Sequence, residues 1–118
     1  MPTYSKVKLS SSTSGRPIKV AATTSPGTTI HSTLGTASTD EVYLYANNTD
    51  TVTRTLTIQW GGTSSPDDSI VVGIAAQSGI FLVIPGLILV DTGAALTIRA
   101  FTDVTNIINI TGYVNRIV

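Results

Sequence analysis

The sequence contains no cysteine and little charge, and each absence narrows what the protein can be. Without cysteine, disulfide bonds and thiolate metal sites are excluded. Charged residues make up 12% of the 118 residues, and seven cations balance seven acids. A free monomer ordinarily depends on net charge for solubility. We therefore interpret this surface as one that is covered in an assembly; the alternative is a soluble surface rich in Thr, Ser and Asn.

Long hydrophobic runs are missing as well. The most apolar segment, 79–90, is too short to cross a bilayer as a helix, and Pro85 and Gly86 interrupt it. The N-terminal residues lack the apolar stretch of a signal peptide. We therefore expect a protein that is made and assembled in a cytoplasm, without a membrane partner.

What the sequence does contain is alternation. In segment 51–60 one face is apolar and the other polar, which is the pattern of a half-buried strand. The apolar face is Val52, Leu56, Ile58 and Trp60, and the polar face is Thr53, Thr55, Thr57 and Gln59. Similar segments predict strands over 18–22, 28–34, 41–46, 51–60, 69–75, 80–84, 87–90, 95–101 and 107–118. Short strands with regular turns indicate an all-β fold, a β-sandwich of jelly-roll-like type. The wholly apolar segment 80–84 is expected to be buried on both faces, with a turn at Pro85-Gly86 after it.

The first part of the chain is basic. Four of the seven cations precede the first acid, Asp40, and they are Lys6, Lys8, Arg16 and Lys19. We predict an extended basic arm over 1–26 and a single β-sandwich domain over 27–118. The arm is expected to be disordered or to lie across a neighbouring molecule. Nucleic-acid binding is the competing interpretation, but four scattered cations without interleaved aromatic residues do not favour a nucleic-acid partner.

No motif of catalysis is present. The single histidine, His31, has no ligand nearby in the sequence and is expected to be structural or on the surface. Asp40-Glu41, before a predicted strand, is expected to be a solvated turn rather than a cation site. Asp67 and Asp68 lie in a Gly/Ser/Pro loop that could bind calcium, although the EF-hand spacing is missing. Neither a G-x-S-x-G motif nor a phosphate-binding loop occurs, so we expect no enzyme, no metal and no cofactor.

Aromatic residues offer two candidates for contact with a partner. Trp60 is in phase with the apolar positions of its strand, so it is expected in the core rather than in a sugar-binding platform. Tyr43 and Tyr45 lie on the face opposite the apolar residues of 41–46. Since aromatic residues are enriched at protein contacts, these two tyrosines are candidate interface residues.

Segments along nearly the whole chain resemble small virion-associated proteins encoded among the structural genes of tailed bacteriophages. These segments are GRPIKVAAT (15–23), TIH (29–31), DEVYLYANN (40–48), LTIQWGG (56–62), IPGL (84–87) and GYVNRI (112–117). The resemblance implies a β-sandwich virion component, namely a capsid decoration (cement) protein that forms an oligomer, often a trimer. Its expected partners are the major capsid protein and further copies of itself. It would lie on the capsid surface after assembly in the host cytoplasm.

The same resemblance leaves other positions in the virion open, because related small β proteins serve as head fibres, neck components and tail parts. A carbohydrate-binding receptor module is a further hypothesis, and it requires an exposed aromatic platform. Under the decoration hypothesis, the four cations of the arm bind an acidic capsid surface and the residues before Thr23 become ordered on binding. The resemblance provides no catalytic residues.

Overall fold

The structure, a computed structural model, describes residues 2–118. Alternating segments form strands because each strand can turn its apolar face to a core and its polar face to solvent. The strands are β1 (Tyr4–Lys8), β2 (Ile18–Lys19), β3 (Thr28–Ser32), β4 (Thr39–Asn48), β5 (Arg54–Trp60), β6 (Ser69–Ile74), β7 (Phe81–Val90), β8 (Thr97–Thr102) and β9 (Ile108–Ile117). No helix occurs in the described part of the chain, and the predicted all-β class is confirmed.

Two antiparallel sheets pack against each other with the core between them. In the five-stranded sheet the strand order is β1-β9-β4-β7, and β2 also pairs with β9. In the four-stranded sheet the order is β3-β8-β5-β6. This arrangement is consistent with the predicted β-sandwich, but it does not confirm the jelly-roll-like topology.

The core contains the apolar faces of β4 and β5 that alternation predicted, but the expectation of a half-buried strand over 51–60 is wrong in part. Val52 lies before β5 and is exposed, whereas Thr57 and Gln59, expected on the polar face, are buried. In β4, Val42 and Leu44 are fully buried, and in β5 Leu56 and Ile58 are fully buried. Trp60 is half-buried and packs against this core. Burying an aliphatic side chain of this size contributes about 1.5–3 kcal/mol, so these faces supply much of the driving force for folding.

Strand β7 corrects two predictions. Residues 81–90 form one strand across Pro85 and Gly86, because the pairing with β4 shifts register there and glycine adopts the φ of 93° at Gly86 without strain. Pro85 is tolerated because β7 lies at the sheet edge and pairs only with β4 among the described strands. The expected burial of 80–84 on both faces is wrong, since Ile80 is 72% exposed.

The structure does not confirm an arm over 1–26 that is separate from the domain 27–118. Strand β1 pairs antiparallel with the end of β9, and β2 pairs with its beginning. Leu9 and Val20 are at most 1% exposed and belong to the core. These residues are therefore part of the sandwich in the described chain. Met1, the first residue of the expected arm, lies outside the described residues.

The last strand, β9, lies in the middle of its sheet. It pairs with β4 along its whole length and with β1 and β2 on its other side. At Gly112 the backbones of β9 and β4 come so close that a Cβ atom would overlap the carbonyl oxygen of Tyr43. The central pairing of the five-stranded sheet therefore requires glycine at this position.

We predict that Gly112→Ala destabilises the fold by about 2–4 kcal/mol, because the added methyl group must push the two central strands apart. The free energy of unfolding by urea, followed by Trp60 fluorescence, measures this loss. Gly73→Ala in β6 is the matched control, since its Cβ would meet nothing closer than Thr53 Cγ2 at 3.8 Å. Equal stability of the two variants would contradict the proposed close approach.

Candidate functional site

The outer face of the five-stranded sheet gathers most of the side chains that the sequence analysis singled out for binding. Side chains on this face alternate with the core residues of β1, β4 and β9, and strand pairing brings them side by side. We call this surface the tyrosine face. It contains all four tyrosines of the chain and three lysines, namely Tyr4, Tyr43, Tyr45, Tyr113, Lys6, Lys8 and Lys19.

A row of stacked side chains crosses the tyrosine face from β1 to β7. Tyr43 and Tyr113 are direct partners in the pairing of β4 with β9, and their ring centroids lie 4.7 Å apart with 15° between the planes. Lys6 Nζ lies 5.0 Å from the centroid of the Tyr113 ring. Next to β7, Tyr43 covers Gly86, where a Cβ atom would lie 2.9 Å from the ring. Both ring faces of Tyr43 are therefore covered, and a partner would meet the edge of the ring.

The tyrosine face carries a net positive charge. The acidic residue on this face is Glu41 of β4. Its Oε1 atom accepts hydrogen bonds from the Tyr43 hydroxyl at 3.2 Å and from Nδ2 of Asn115 at 3.0 Å. The charge of this carboxylate raises the pKa of Tyr43. Three lysines face one carboxylate, so the electrostatic potential of this surface favours an acidic partner.

A shallow depression of about 470 Å³ opens at one end of the tyrosine face. It is lined by residues of β1, β4, β7 and β9, among them Tyr4, Lys6, Glu41, Ile88 and Asn115. Tyr4 is 72% exposed, so its ring is free to contact a partner. This lining combines apolar contact area with hydrogen-bonding groups, a combination that suits a peptide loop or a saccharide.

Arg16 does not join the lysines. It lies in the exposed loop between β1 and β2, where its backbone N–H donates to the carbonyl oxygen of Thr13. Of the four cations predicted to bind a partner, the structure therefore places three together on the tyrosine face and one apart. Tyr43 and Tyr45, predicted as interface residues, lie on the same face as those three lysines.

A buried ionic cluster of His31, Asp40 and Arg116 joins the two sheets. His31 belongs to β3 in one sheet, and Asp40 and Arg116 belong to β4 and β9 in the other. His31 Nε2 lies 2.8 Å from Asp40 Oδ2, and Arg116 donates to both Asp40 oxygens, from Nε at 2.8 Å and from Nη2 at 3.0 Å. Asp40 is fully buried. The expectation that Asp40-Glu41 forms a solvated turn is therefore wrong, because both residues are in β4.

His31 is neutral and carries its proton on Nε2. The backbone N–H of Ser10 donates to Nδ1 at 3.0 Å, so Nδ1 has no proton and Nε2 donates to Asp40. Burial lowers the pKa of His31, although the hydrogen bond to Asp40 and the charge of Asp40 act to raise it. Burial would raise the pKa of Asp40, but hydrogen bonds from Arg116 and His31 hold it below its ordinary value. Since both ring nitrogens of His31 are occupied and the ring is 1% exposed, its role is structural.

A second buried carboxylate, Asp91, fixes the loop between β3 and β4. It is 1% exposed and accepts hydrogen bonds from the backbone N–H of Gly35 at 2.9 Å and the hydroxyl of Ser38 at 3.0 Å. Burial alone would raise the pKa of Asp91, but these hydrogen bonds hold it well below its ordinary range. This carboxylate is fully occupied within the protein.

The loop of Asp67 and Asp68 closes on itself. Asp68 Oδ2 accepts a hydrogen bond from the Ser64 backbone N–H at 3.1 Å, while Asp67 is exposed. In residues 2–118 no group of three or more His, Cys, Asp and Glu side chains is placed to hold a metal ion. The same residues include no helix with the length and apolar character needed to span a bilayer.

In the comparisons with known proteins, no protein-family model matches this chain and no curated protein is significantly similar to it. The functional interpretation therefore depends on the residues of this chain.

Two members of the tyrosine face, Tyr4 and Tyr113, were missed by the sequence analysis. Alternation in β9 indicates that Tyr113 and Val114 point to opposite faces of the sheet. It does not indicate which strand lies beside Tyr113.

We predict that the free energy of unfolding falls as the pH falls below 6.5, the ordinary pKa of histidine. The unfolded chain binds a proton on His31 in this range and the folded chain resists it, so stability is complete above this pH and is lost below it. The slope can reach about 1.4 kcal/mol per pH unit. Urea unfolding between pH 7.5 and 5.5 measures it.

His31→Gln is the control for this prediction, because glutamine can still donate to Asp40 but does not titrate. We expect this variant to be less stable at neutral pH and to lose the slope, since the chain has no other histidine. An unchanged slope in His31→Gln would show that another group causes the pH dependence.

Proposed function

We propose that the protein is a structural component of the virion of a tailed bacteriophage, namely a capsid decoration (cement) protein. In this proposal the tyrosine face binds the major capsid protein on the outer surface of the head. The single observation that carries the proposal is the assembly of four tyrosines and three lysines on one exposed sheet face. Tyrosine provides a large contact area at low entropic cost, and the lysines attract an acidic partner.

Two features of the sequence support this assignment. Segments across most of the chain resemble small virion-associated phage proteins, and only 12% of the residues are charged, which suits a surface covered by neighbours. The buried titratable groups described above serve the fold. A role in contact between proteins therefore accounts for more of the exposed residues than a role in catalysis does.

The proposed mechanism is stabilisation by mass action. A protein that binds the assembled, expanded lattice and not its separated subunits lowers the free energy of the lattice by its binding free energy. Each bound copy would contact adjacent capsomers. The resemblance implies a trimer, and the linked copies of an oligomer would bind more tightly than single copies because each bound copy raises the effective concentration of the others. No nucleic acid, membrane or cofactor takes part in this mechanism.

One observation favours a second candidate, a receptor-binding module of a head fibre, neck or tail. The depression places the exposed ring of Tyr4 beside the carboxylate of Glu41 and the amide of Asn115, which together could stack on a sugar ring and bind its hydroxyls. Trp60 does not contribute, since it is half-buried in the core. Saccharide binding that quenches tyrosine fluorescence and is lost in Tyr4→Ser would favour this candidate.

We predict that Lys6→Glu weakens binding to expanded capsids at least about tenfold, because a charge reversal on the tyrosine face opposes an acidic partner. Co-sedimentation with empty capsids, assembled from the major capsid protein encoded in the same genome, measures the affinity. The binding of the unchanged protein is also expected to weaken as salt is added.

Thr55→Glu is the matched control, since Thr55 is an exposed strand residue of the other sheet. We expect it to bind capsids as the unchanged protein does. Point substitutions are preferable to deletion of residues 2–15, because deletion would remove Leu9 from the core. Absence of capsid binding by the unchanged protein, or equal binding by Lys6→Glu and Thr55→Glu, would overturn the proposed role of the tyrosine face.

A further inference from the structure

We infer that a second copy of this chain covers the free edge of β7, so that β7 is the contact through which copies associate. The inference rests on the proposed function in one respect, because it names the partner that makes the decoration protein an oligomer. It concerns the edge of the sheet, which adjoins the tyrosine face at the depression lined by Ile88. The two proposals can still fail separately, because Lys6→Glu and Leu87→Lys change opposite edge strands of the sheet.

The chemistry of the β7 edge favours pairing with another strand. β7 pairs with β4 on one side, and among the described strands none pairs with its other side. Its ten residues, FLVIPGLILV, include no charged side chain and no hydroxyl. Monomeric proteins protect a long edge strand with charge, because unpaired N–H and C=O groups invite another strand. The opposite edge of this sheet follows that rule, since β1 carries Lys6 and Lys8.

The exposed apolar area at β7 favours an interface as well. Six apolar side chains at β7 are between 42% and 72% exposed, and they are Ile80, Phe81, Leu82, Leu87, Ile88 and Val90. Together they expose several hundred Å² of apolar surface, less than the ~800 Å² that each partner contributes to a standard interface but a substantial part of it. A patch of this size is at the upper end of what monomers expose.

Apolar side chains of β6 and β7 that pack against the core are also incompletely covered. Strand β6, the edge of the other sheet, is joined to β7 by residues 75–80. Ile70 and Val72 of β6 and Val83 of β7 pack against the core but remain only half-buried. An interface that completes a core resembles a permanent contact rather than a transient one.

A second copy suits this edge better than a different protein does. The exposed edge exists as soon as the chain folds, and an uncovered edge of this kind leads to aggregation. Another copy is the partner that is present at equal concentration from the start. The chain has a formal net charge of zero, so copies do not repel each other. The acidic partner that suits the tyrosine face has no complementary charge to meet on β7.

Leu87→Lys tests the inference, because a lysine on the edge must lose its hydration if another copy covers it. Multi-angle light scattering is expected to give a multiple of 12.3 kDa for the unchanged protein and 12.3 kDa for Leu87→Lys. Leu34→Lys is the matched control, since Leu34 is 48% exposed and Leu87 is 42% exposed. Leu34 lies in the loop between β3 and β4, and its variant should keep the mass of the unchanged protein.

Val90→Lys provides a second variant on the same strand, so the test does not depend on whether Leu87→Lys folds. Trp60 fluorescence and circular dichroism verify the fold of each variant. Amide hydrogen exchange gives an independent measurement: exchange in β7 should slow at least about tenfold on association, while exchange in β1 should not change. A monomeric unchanged protein, or folded Leu87→Lys and Val90→Lys variants that keep its mass, would overturn the inference.

The outcomes separate the two proposals. An oligomer that depends on β7 but ignores capsids would contradict the decoration function and leave the inference in place. A monomer that coats capsids would support the decoration function and overturn the inference about β7. Salt provides a further distinction, because the apolar association through β7 should persist at high salt and the binding of the tyrosine face to an acidic capsid should not.

Discussion

The contact between His31 and Asp40 is a buried polar interaction that positions the two sheets, because it is made across the core between them. Apolar contact alone leaves two sheets free to slide, whereas a hydrogen bond between buried groups specifies one position. Arg116 supplies the charge that makes a buried carboxylate acceptable. Once β3, β4 and β9 are fixed in this way, the pairing of β9 with β1 and of β4 with β7 sets which side chains meet on the outer face.

The two edges of the five-stranded sheet differ in chemistry. At one edge, β1 presents lysines, and this edge continues into the tyrosine face. At the other edge, β7 presents apolar side chains and unpaired backbone groups. Under the proposed decoration function each copy contacts both other copies and a larger lattice, and two surfaces of different chemistry suit these two contacts. The described structure provides such a pair.

The sequence was sufficient to predict the all-β class and the inward faces of β4 and β5, because alternation states directly which side chains share a face. It was insufficient for β1, whose single inward apolar residue, Val7, gives too weak a pattern. It also misassigned 80–84, because a wholly apolar strand can be covered by its own protein or by another molecule, and periodicity does not distinguish them. The tyrosine face depends on strand pairing, so its members were identified only in part and never as one surface.

The hydrogen bond from Ser10 to His31 has a thermodynamic consequence for the N-terminal segment. The Ser10 N–H and a solvent proton compete for the same lone pair on Nδ1, so only one of them can occupy it. By linkage, docking of this segment disfavours protonation of His31, and protonation disfavours docking by the same factor. Acidity is therefore expected to weaken the docking of the loop that follows β1, so the order of one sheet edge is coupled to the protonation of a buried ring.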